Sequence, residues 1–277
     1  MRAAHTAGIV AALIEHEVWF PYVCGLSAGS SNAVNYIARD PERTRMCFVD
    51  IAEDPRFGGI GSLMHHDGFF NSRWLYDEAI RDGSLPMDWE TFSANPTKLR
   101  IQSFERDTGR TVTWTREDMT SPVTMARLVR ASSTMPFVMN PIEVGGQVML
   151  DGGLGTGAGI PLHMAEEDGF ERFFFVGTRP AGYRKTPMGR GKRGLMHRLC
   201  AGQPYLYEAL AMRAERYNAA LDHLDELERA GRALVVRPET MPIHNTETNV
   251  DKLRAVFDQG HALAEREMGH WLEWLTR

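Results

Sequence analysis

Cysteine is scarce. The three present in 277 residues, Cys24, Cys47 and Cys200, are odd in number and far apart, so neither a disulfide framework nor a thiolate metal site organises the chain. They read as reduced, mostly buried thiols. A surplus of positive charge is also missing. Lys and Arg number 31 against 36 Asp and Glu, for a net charge of −5, which argues against a general nucleic-acid binder. No apolar run approaches the roughly 18 residues that a spanning helix needs, so any membrane contact would be peripheral. No signal peptide precedes the first helical pattern, and a cytoplasmic location is expected. Internal repeats, low-complexity tracts and composition shifts that would mark a domain boundary are absent too, and residues 1–277 read as a single domain.

What is present is ordinary for a globular α/β protein: 43% hydrophobic and 24% charged residues. Arg2 to Glu15 has a helical pattern with Ile9, Val10, Leu13 and Ile14 on one face. An α/β chain normally opens on a strand, so the strand that should feed this helix is expected to be missing. A strand over Val18–Cys24 follows, and then Gly25-Leu26-Ser27-Ala28-Gly29 before a helix from about Ser30 to Arg39, stopped by Asp40-Pro41. Gly-x-Ser-x-Gly between strand and helix is the pattern of a nucleophile elbow: the turn strains the serine, and glycines on both sides keep any Cβ from the neighbouring backbone. The hydroxyl then sits at a helix N-terminus, where free N–H groups favour negative charge. By itself the pattern is equally an ordinary Gly/Ser turn.

Between Arg43 and Asp82 the helical pattern is interrupted by Pro55, Gly58-Gly59-Ile60-Gly61 and Asp67-Gly68, with Phe57, Phe69, Phe70, Trp74 and Tyr76 interspersed. Packing is the simpler reading of these aromatics, a lid the alternative. His65 and His66, being adjacent, read as surface or lid residues rather than metal ligands. Two hairpins are expected, Leu99–Glu105 with Thr111–Thr115 around Asp107-Thr108-Gly109, and Pro141–Val144 with Gln147–Leu150 around Gly145-Gly146. A helix from about Thr124 to Ala131 lies between them. Later come a helix ending at Glu167, a buried strand over Arg172–Gly177, and a basic linker containing Arg184, Lys185, Arg190, Lys192, Arg193, His197 and Arg198, read as a solvated loop. A helix over Pro204–Ala230, a strand over Ala233–Arg237 and a helix over Asp251–Leu275 close the chain.

A serine needs a base within hydrogen-bond reach to act as a nucleophile. His163, His197, His223 and His244 all follow Asp151, the order of a Ser-Asp-His triad, but none has a distinctive loop context. Asp151 itself ends an apolar run, Val148-Met149-Leu150, and precedes Gly152-Gly153, where the backbone can approach a neighbour closely. A partly buried carboxylate there would have a raised pKa and could serve as a direct base.

Gly25-Leu26-Ser27-Ala28-Gly29, Arg130-Ala131-Ser132-Ser133-Thr134-Met135-Pro136 and Leu150-Asp151-Gly152-Gly153 with Ile160-Pro161 resemble, in order, the motifs of patatin-like phospholipases, especially a bacterial soluble branch. The resemblance spans residues 2–177, with residues 178–277 as a C-terminal extension. It implies a three-layer α/β/α acyl-hydrolase fold with a mostly parallel central sheet, and a Ser-Asp dyad without histidine that acts on lipid acyl esters. By position, Ser27 is the nucleophile and Asp151 the base. No metal and no organic cofactor is implied. The family's glycine-rich oxyanion loop is matched only at its end, with Arg2 as the loop arginine and Ala3 in place of a glycine; the glycines and first strand would lie upstream of Met1. Arg2, Ala28, Gly25, Gly29 and Gly152 are the expected oxyanion and substrate-binding positions. The expected partner is a lipid or acyl ester, with nucleic acid excluded and oligomeric state unassigned. Two alternatives stand beside this reading: a truncated, weakly active relative that binds acyl chains or a membrane surface, and a Ser-His-Asp esterase.

Overall fold

One strand, β2 (Lys98–Glu105), sets the positions of the others in a five-stranded sheet. Its Arg100–Phe104 stretch pairs antiparallel with β3 (Thr111–Thr115) along one edge. The other edge is shared. β1 (Tyr22–Leu26) runs parallel to Lys98–Gln102, and β5 (Gln147–Asp151) runs antiparallel to Ser103–Glu105. Because β3 overlaps both stretches, β1 and β5 must lie on the opposite edge, where their C-terminal ends meet. β4 (Ile142–Val144) completes the sheet through a two-residue turn whose Gly145 and Gly146 have φ of 61° and 78°, the backbone a tight hairpin requires.

A second, parallel pair is formed by β6 (Phe173–Val176) and β7 (Ala233–Val236). Side-chain alternation shows that the two sheets share their faces. Val23, Phe174, Val176, Leu234 and Val236 enter one apolar cluster, while Tyr22, Cys24, Phe173, Phe175 and Ala233 enter another. Helices cover both faces, giving the expected three-layer α/β/α architecture. The strands are mixed rather than mostly parallel: β1–β2 and β6–β7 are parallel, the rest antiparallel. Two of the antiparallel ladders are hairpins closed by short glycine turns, which leave no room for a crossover.

The structure is a computed structural model that describes residues 1–59, 62 and 68–277. The adjacent pair His65 and His66 therefore lies outside the described residues.

The first helix, α1 (Ala3–Glu15), is buried from Ala3 to Ile14 and so has no solvent face, contrary to the amphipathic expectation. Its small residues explain why. A Cβ on Gly8 would lie 2.1 Å from the Phe257 carbonyl, and one on Gly260 would lie 2.0 Å from the His5 carbonyl, so α1 and the C-terminal helix touch backbone to backbone. The strand after α1 starts later than expected, at Tyr22, since Pro21 has no N–H to extend the ladder. Next come α2 (Ala28–Ile37) and α3 (Pro41–Phe48); the Asp40 carboxylate caps α3 by accepting from the Arg43 N–H at 2.7 Å. Phe57, Phe70 and Trp74 are buried with Ile51, Ala79 and Leu85, which is the packing outcome for these aromatics. Then follow α4 (Trp89–Ala94), α5 (Pro122–Ser133) capped by Ser121, and α6 (Leu162–Glu167).

The basic linker is not a simple loop, because Arg190–Leu199 forms an exposed helix, α7. Its glycines weaken a sequence-level helix pattern without abolishing the helix. Two long helices, α8 (Pro204–Arg229) and α9 (Val250–Leu275), complete the chain. Among the described residues, no helix is long and apolar enough to cross a membrane.

Among the described residues, no strand pairing joins β1 to β6. Residues of both strands line a cavity of about 1280 Å³, and the segments leaving them, from Ser27 and from Gly177 onward, line it as well.

Candidate functional site

Ser27 joins β1 to α2 with φ 53° and ψ −134°, a positive-φ backbone that a non-glycine residue holds only under strain, about 1–3 kcal/mol. The strain is held by neighbours. The Ser27 N–H donates to Ser132 Oγ at 2.9 Å, and that hydroxyl donates to the Gln102 carbonyl at 2.6 Å. The flanking glycines are not equivalent, although both were expected to relieve a clash. A Cβ on Gly25 would lie 2.3 Å from the Gly29 carbonyl oxygen, whereas one on Gly29 would meet nothing within 4 Å. The turn therefore requires Gly25, while Gly29 leaves open space beside the serine.

Asp151 is the last residue of β5 and only 5% exposed. Its Oδ2 accepts from Ser27 Oγ at 2.6 Å, and its Oδ1 accepts from the Gly153 N–H at 2.7 Å. Gly152 is needed beside it, since a Cβ there would lie 2.2 Å from the Gln102 carbonyl oxygen. Burial pushes the Asp151 carboxyl above the usual aspartate range; Arg213, the Ser27 hydroxyl, the Gly153 N–H and Lys185 pull the other way. A hydroxyl bonded directly to a desolvated carboxylate can pass its proton to it without an intermediary.

No imidazole approaches this pair among the described residues. His163 Nε2 bonds to Gln102 Oε1 at 2.8 Å, His223 pairs with Glu166, and His197 stacks edge-on against Tyr207. His244 is exposed and outside the cavity wall. A Ser-His-Asp arrangement is thus not assembled, because each of these rings is held by another partner or lies elsewhere.

Ala28 opens α2, and an N–H in the first turn of a helix has no partner inside it. Arg2 precedes α1 and lines the same cavity as Ser27 and Ala28; its Nε is buried without a hydrogen-bond partner. Desolvation, followed by repulsion from Arg179, lowers its pKa to about 10.

Several cavity residues escape the sequence reading. Ser132 lies within the quoted Arg130–Pro136 segment but carries no signal that its hydroxyl grips the elbow. Lys185 reads as part of a solvated loop, yet its Nζ donates to the Ala158 carbonyl at 3.3 Å and sits 3.5 Å from the Tyr217 ring centroid. Arg213 lies mid-helix in α8, where nothing in the pattern separates it from a surface arginine; its Nε donates to the Gly153 carbonyl at 3.0 Å. Among the described residues, Glu15, His261 and Glu265 are the carboxylate and imidazole group close enough to share a metal ion, but they are at the surface and none lines the cavity.

Comparison with known families matches residues 203–276 to a domain of unknown function (DUF6363). No curated protein shows significant similarity to the chain. The patatin-like phospholipase family matches residues 1–165, which hold α1, the elbow, the Ser132 segment and Asp151. With more than half of its length in that match, the chain belongs to the patatin-like phospholipase family.

Proposed function

We propose that the protein is a serine acyl hydrolase that cleaves lipid carboxylic esters with Ser27 as nucleophile and Asp151 as base. The observation that carries this reading is the 2.6 Å hydrogen bond from Ser27 Oγ to Asp151 Oδ2 at a strained elbow. Ser27 Oγ attacks the ester carbonyl carbon as its proton passes to Asp151 Oδ2. The tetrahedral intermediate collapses, and Asp151 returns the proton to the departing alcohol, leaving an acyl-serine. Water then attacks the acyl carbon, Asp151 takes its proton, and release of the carboxylic acid regenerates the Ser27 hydroxyl. The Ala28 N–H, at the positive end of α2, is suited to the oxyanion. Apolar side chains on the cavity wall, among them Phe57, Phe70, Leu75 and Met125, suit an acyl chain.

A second reading is a weakly active relative that binds acyl chains in the same apolar cavity. Exposed α7, with Leu195 55% and Leu199 51% accessible among Arg190, Lys192, Arg193 and Arg198, supports peripheral contact of a cytoplasmic protein with a lipid surface.

A fluorophosphonate probe tests the main claim. Labelling of the wild type that vanishes in Ser27→Ala but survives alanine at His163, His197, His223 and His244 is expected. Undiminished labelling of Ser27→Ala would overturn the assignment.

A further inference from the structure

Four cationic side chains converge on the cavity beside Ser27, and none of them forms an ion pair with a carboxylate among the described residues. Arg2 stands at the start of α1, Arg179 follows β6, Lys185 lies further along that segment, and Arg213 comes from α8. Their hydrogen bonds to protein go to neutral acceptors. Arg213 uses Nε on the Gly153 carbonyl and Lys185 uses one donor on the Ala158 carbonyl. Arg179 lies over the Tyr183 ring, its carbon 4.2 Å from the centroid, which leaves the edge donors of the guanidinium free. Arg2 Nε is buried and unpartnered.

All four line the cavity that holds Ser27, and Arg213 is placed directly beside the carboxylate. A Cβ on Gly153 would lie 3.0 Å from Arg213 Nη2 and 2.9 Å from Asp151 Oδ1, so guanidinium and carboxylate flank the same glycine. Asp151 and Asp225 are the acidic side chains on the cavity wall, and Asp225 is engaged by Arg184 and Arg237 at 2.7 Å each. One carboxylate thus stands against three guanidinium groups and the Lys185 amine. Desolvation, and after it repulsion from Arg213, Arg2 and Arg179, lowers the Lys185 pKa to about 6. An unfilled set of donors with excess positive charge is completed by an anion of high charge density.

The geometry points to a phosphoryl-anion subsite formed by Arg2, Arg179, Lys185 and Arg213, which selects acyl esters whose alcohol carries a phosphate monoester. A dianion uses several donors at once, while a head group ending in a quaternary or primary ammonium would set a cation among cations with no spare carboxylate to receive it. The inference rests on Ser27 being the nucleophile, and it gives the C-terminal part of the chain a role. Arg179, Lys185 and Arg213 all lie beyond the family match at residues 1–165, and Arg213 lies in the segment of unknown function.

Two measurements on the full chain test it. Calorimetric titration of Ser27→Ala with glycerol 3-phosphate, inorganic phosphate and phosphocholine reads the subsite without catalysis. Glycerol 3-phosphate is expected to bind, with affinity reduced about tenfold or more in Arg179→Gln and in Arg213→Gln, the loss of one charge-assisted hydrogen bond; phosphocholine is expected to bind at least as weakly as in those variants. In the second, kcat/KM is compared for 1-acyl lysophosphatidate and a monoacylglycerol of the same chain. Their ratio is expected to fall about tenfold in Arg179→Gln, and because it is a ratio, a general loss of folded enzyme cancels. Binding of glycerol 3-phosphate without hydrolysis of any ester would keep the subsite and sink the hydrolase reading. Hydrolysis with an unchanged ratio, or inorganic phosphate binding as tightly as glycerol 3-phosphate without inhibiting lysophosphatidate cleavage, would overturn the subsite itself.

Discussion

Leu26 and Asp151 end their strands opposite adjacent residues of β2, Gln102 and Ser103. This head-on meeting is what carries the Ser27 hydroxyl to the carboxylate across 124 residues of chain. Under the proposed dyad, in which hydroxyl and carboxylate act as a unit, Ser27→Ala and Asp151→Asn are each expected to lower kcat for ester hydrolysis by about 10³ or more, with the double variant no worse than either alone. Steady-state kinetics on p-nitrophenyl esters would check this, and losses that add would contradict it.

Burial raises the Asp151 pKa, and two consequences follow with opposite signs. As a base, Asp151 must be ionised, so kcat/KM is expected to fall on acidification at a pH above the ordinary aspartate value of about 4. Folding favours its protonated form, so at neutral pH the buried charge costs stability relative to the unfolded chain. Asp151→Asn is therefore expected to melt higher at pH 7, with the gain vanishing below the unfolded aspartate pKa. A thermal melt that drops at neutral pH would count against a desolvated carboxylate.

The two glycines of the elbow are expected to separate cleanly. Gly25→Ala drives a Cβ into the Gly29 carbonyl and should cost about 3 kcal/mol or more, visible as lost soluble protein or a lowered urea midpoint. Gly29→Ala meets open space and should fold normally, so any loss of activity it shows is a loss of room for substrate. At the strained serine, Ser27→Gly is expected to be more stable than Ser27→Ala by about 1 kcal/mol, since glycine holds φ 53° without strain.

Much of this was legible in the chain. Gly25-Leu26-Ser27-Ala28-Gly29 announced the turn, and Asp151 stood out because an acid that ends an apolar strand before two glycines is unusual. The hairpins were readable from period-two alternation around glycine. The register that aligns Leu26 with Gln102 and Asp151 with Ser103 was not, because strand pairing across long connections leaves no local pattern. Arg213 was invisible for a related reason: one arginine in a long charged helix looks like any other until the loop it faces is known. The burial of α1 on all sides was misread because Ala4, Ala7 and Gly8 count weakly in an apolar pattern, although small residues are what let another helix come close.

Lys185 supplies a pH prediction. It is faced by Arg2 from α1, Arg179 from its own segment, Arg213 and the Tyr217 ring from α8, Asp151 from β5 and the Ala158 carbonyl. With a pKa near 6 it is largely neutral at pH 7.5, and a bound phosphate dianion raises that value. Glycerol 3-phosphate binding at pH 7.5 is expected to take up a fraction of a proton, seen as a dependence of the calorimetric heat on buffer ionisation enthalpy, and to lose that uptake in Lys185→Met. Heat independent of the buffer would speak against it.

The paired glycines of the first and last helices have a consequence for how the molecule can be cut. Gly8 and Gly260 let the backbones of residues 3–15 and 250–275 touch, though they fall in different family matches. Dividing the gene at the edge of either match would strip Gly8 of the Phe257 and His261 backbone that covers it and leave each fragment with a wet apolar groove. The piece with Ser27 and Asp151 would then come out of cells as inclusion bodies unless its missing third were supplied beside it.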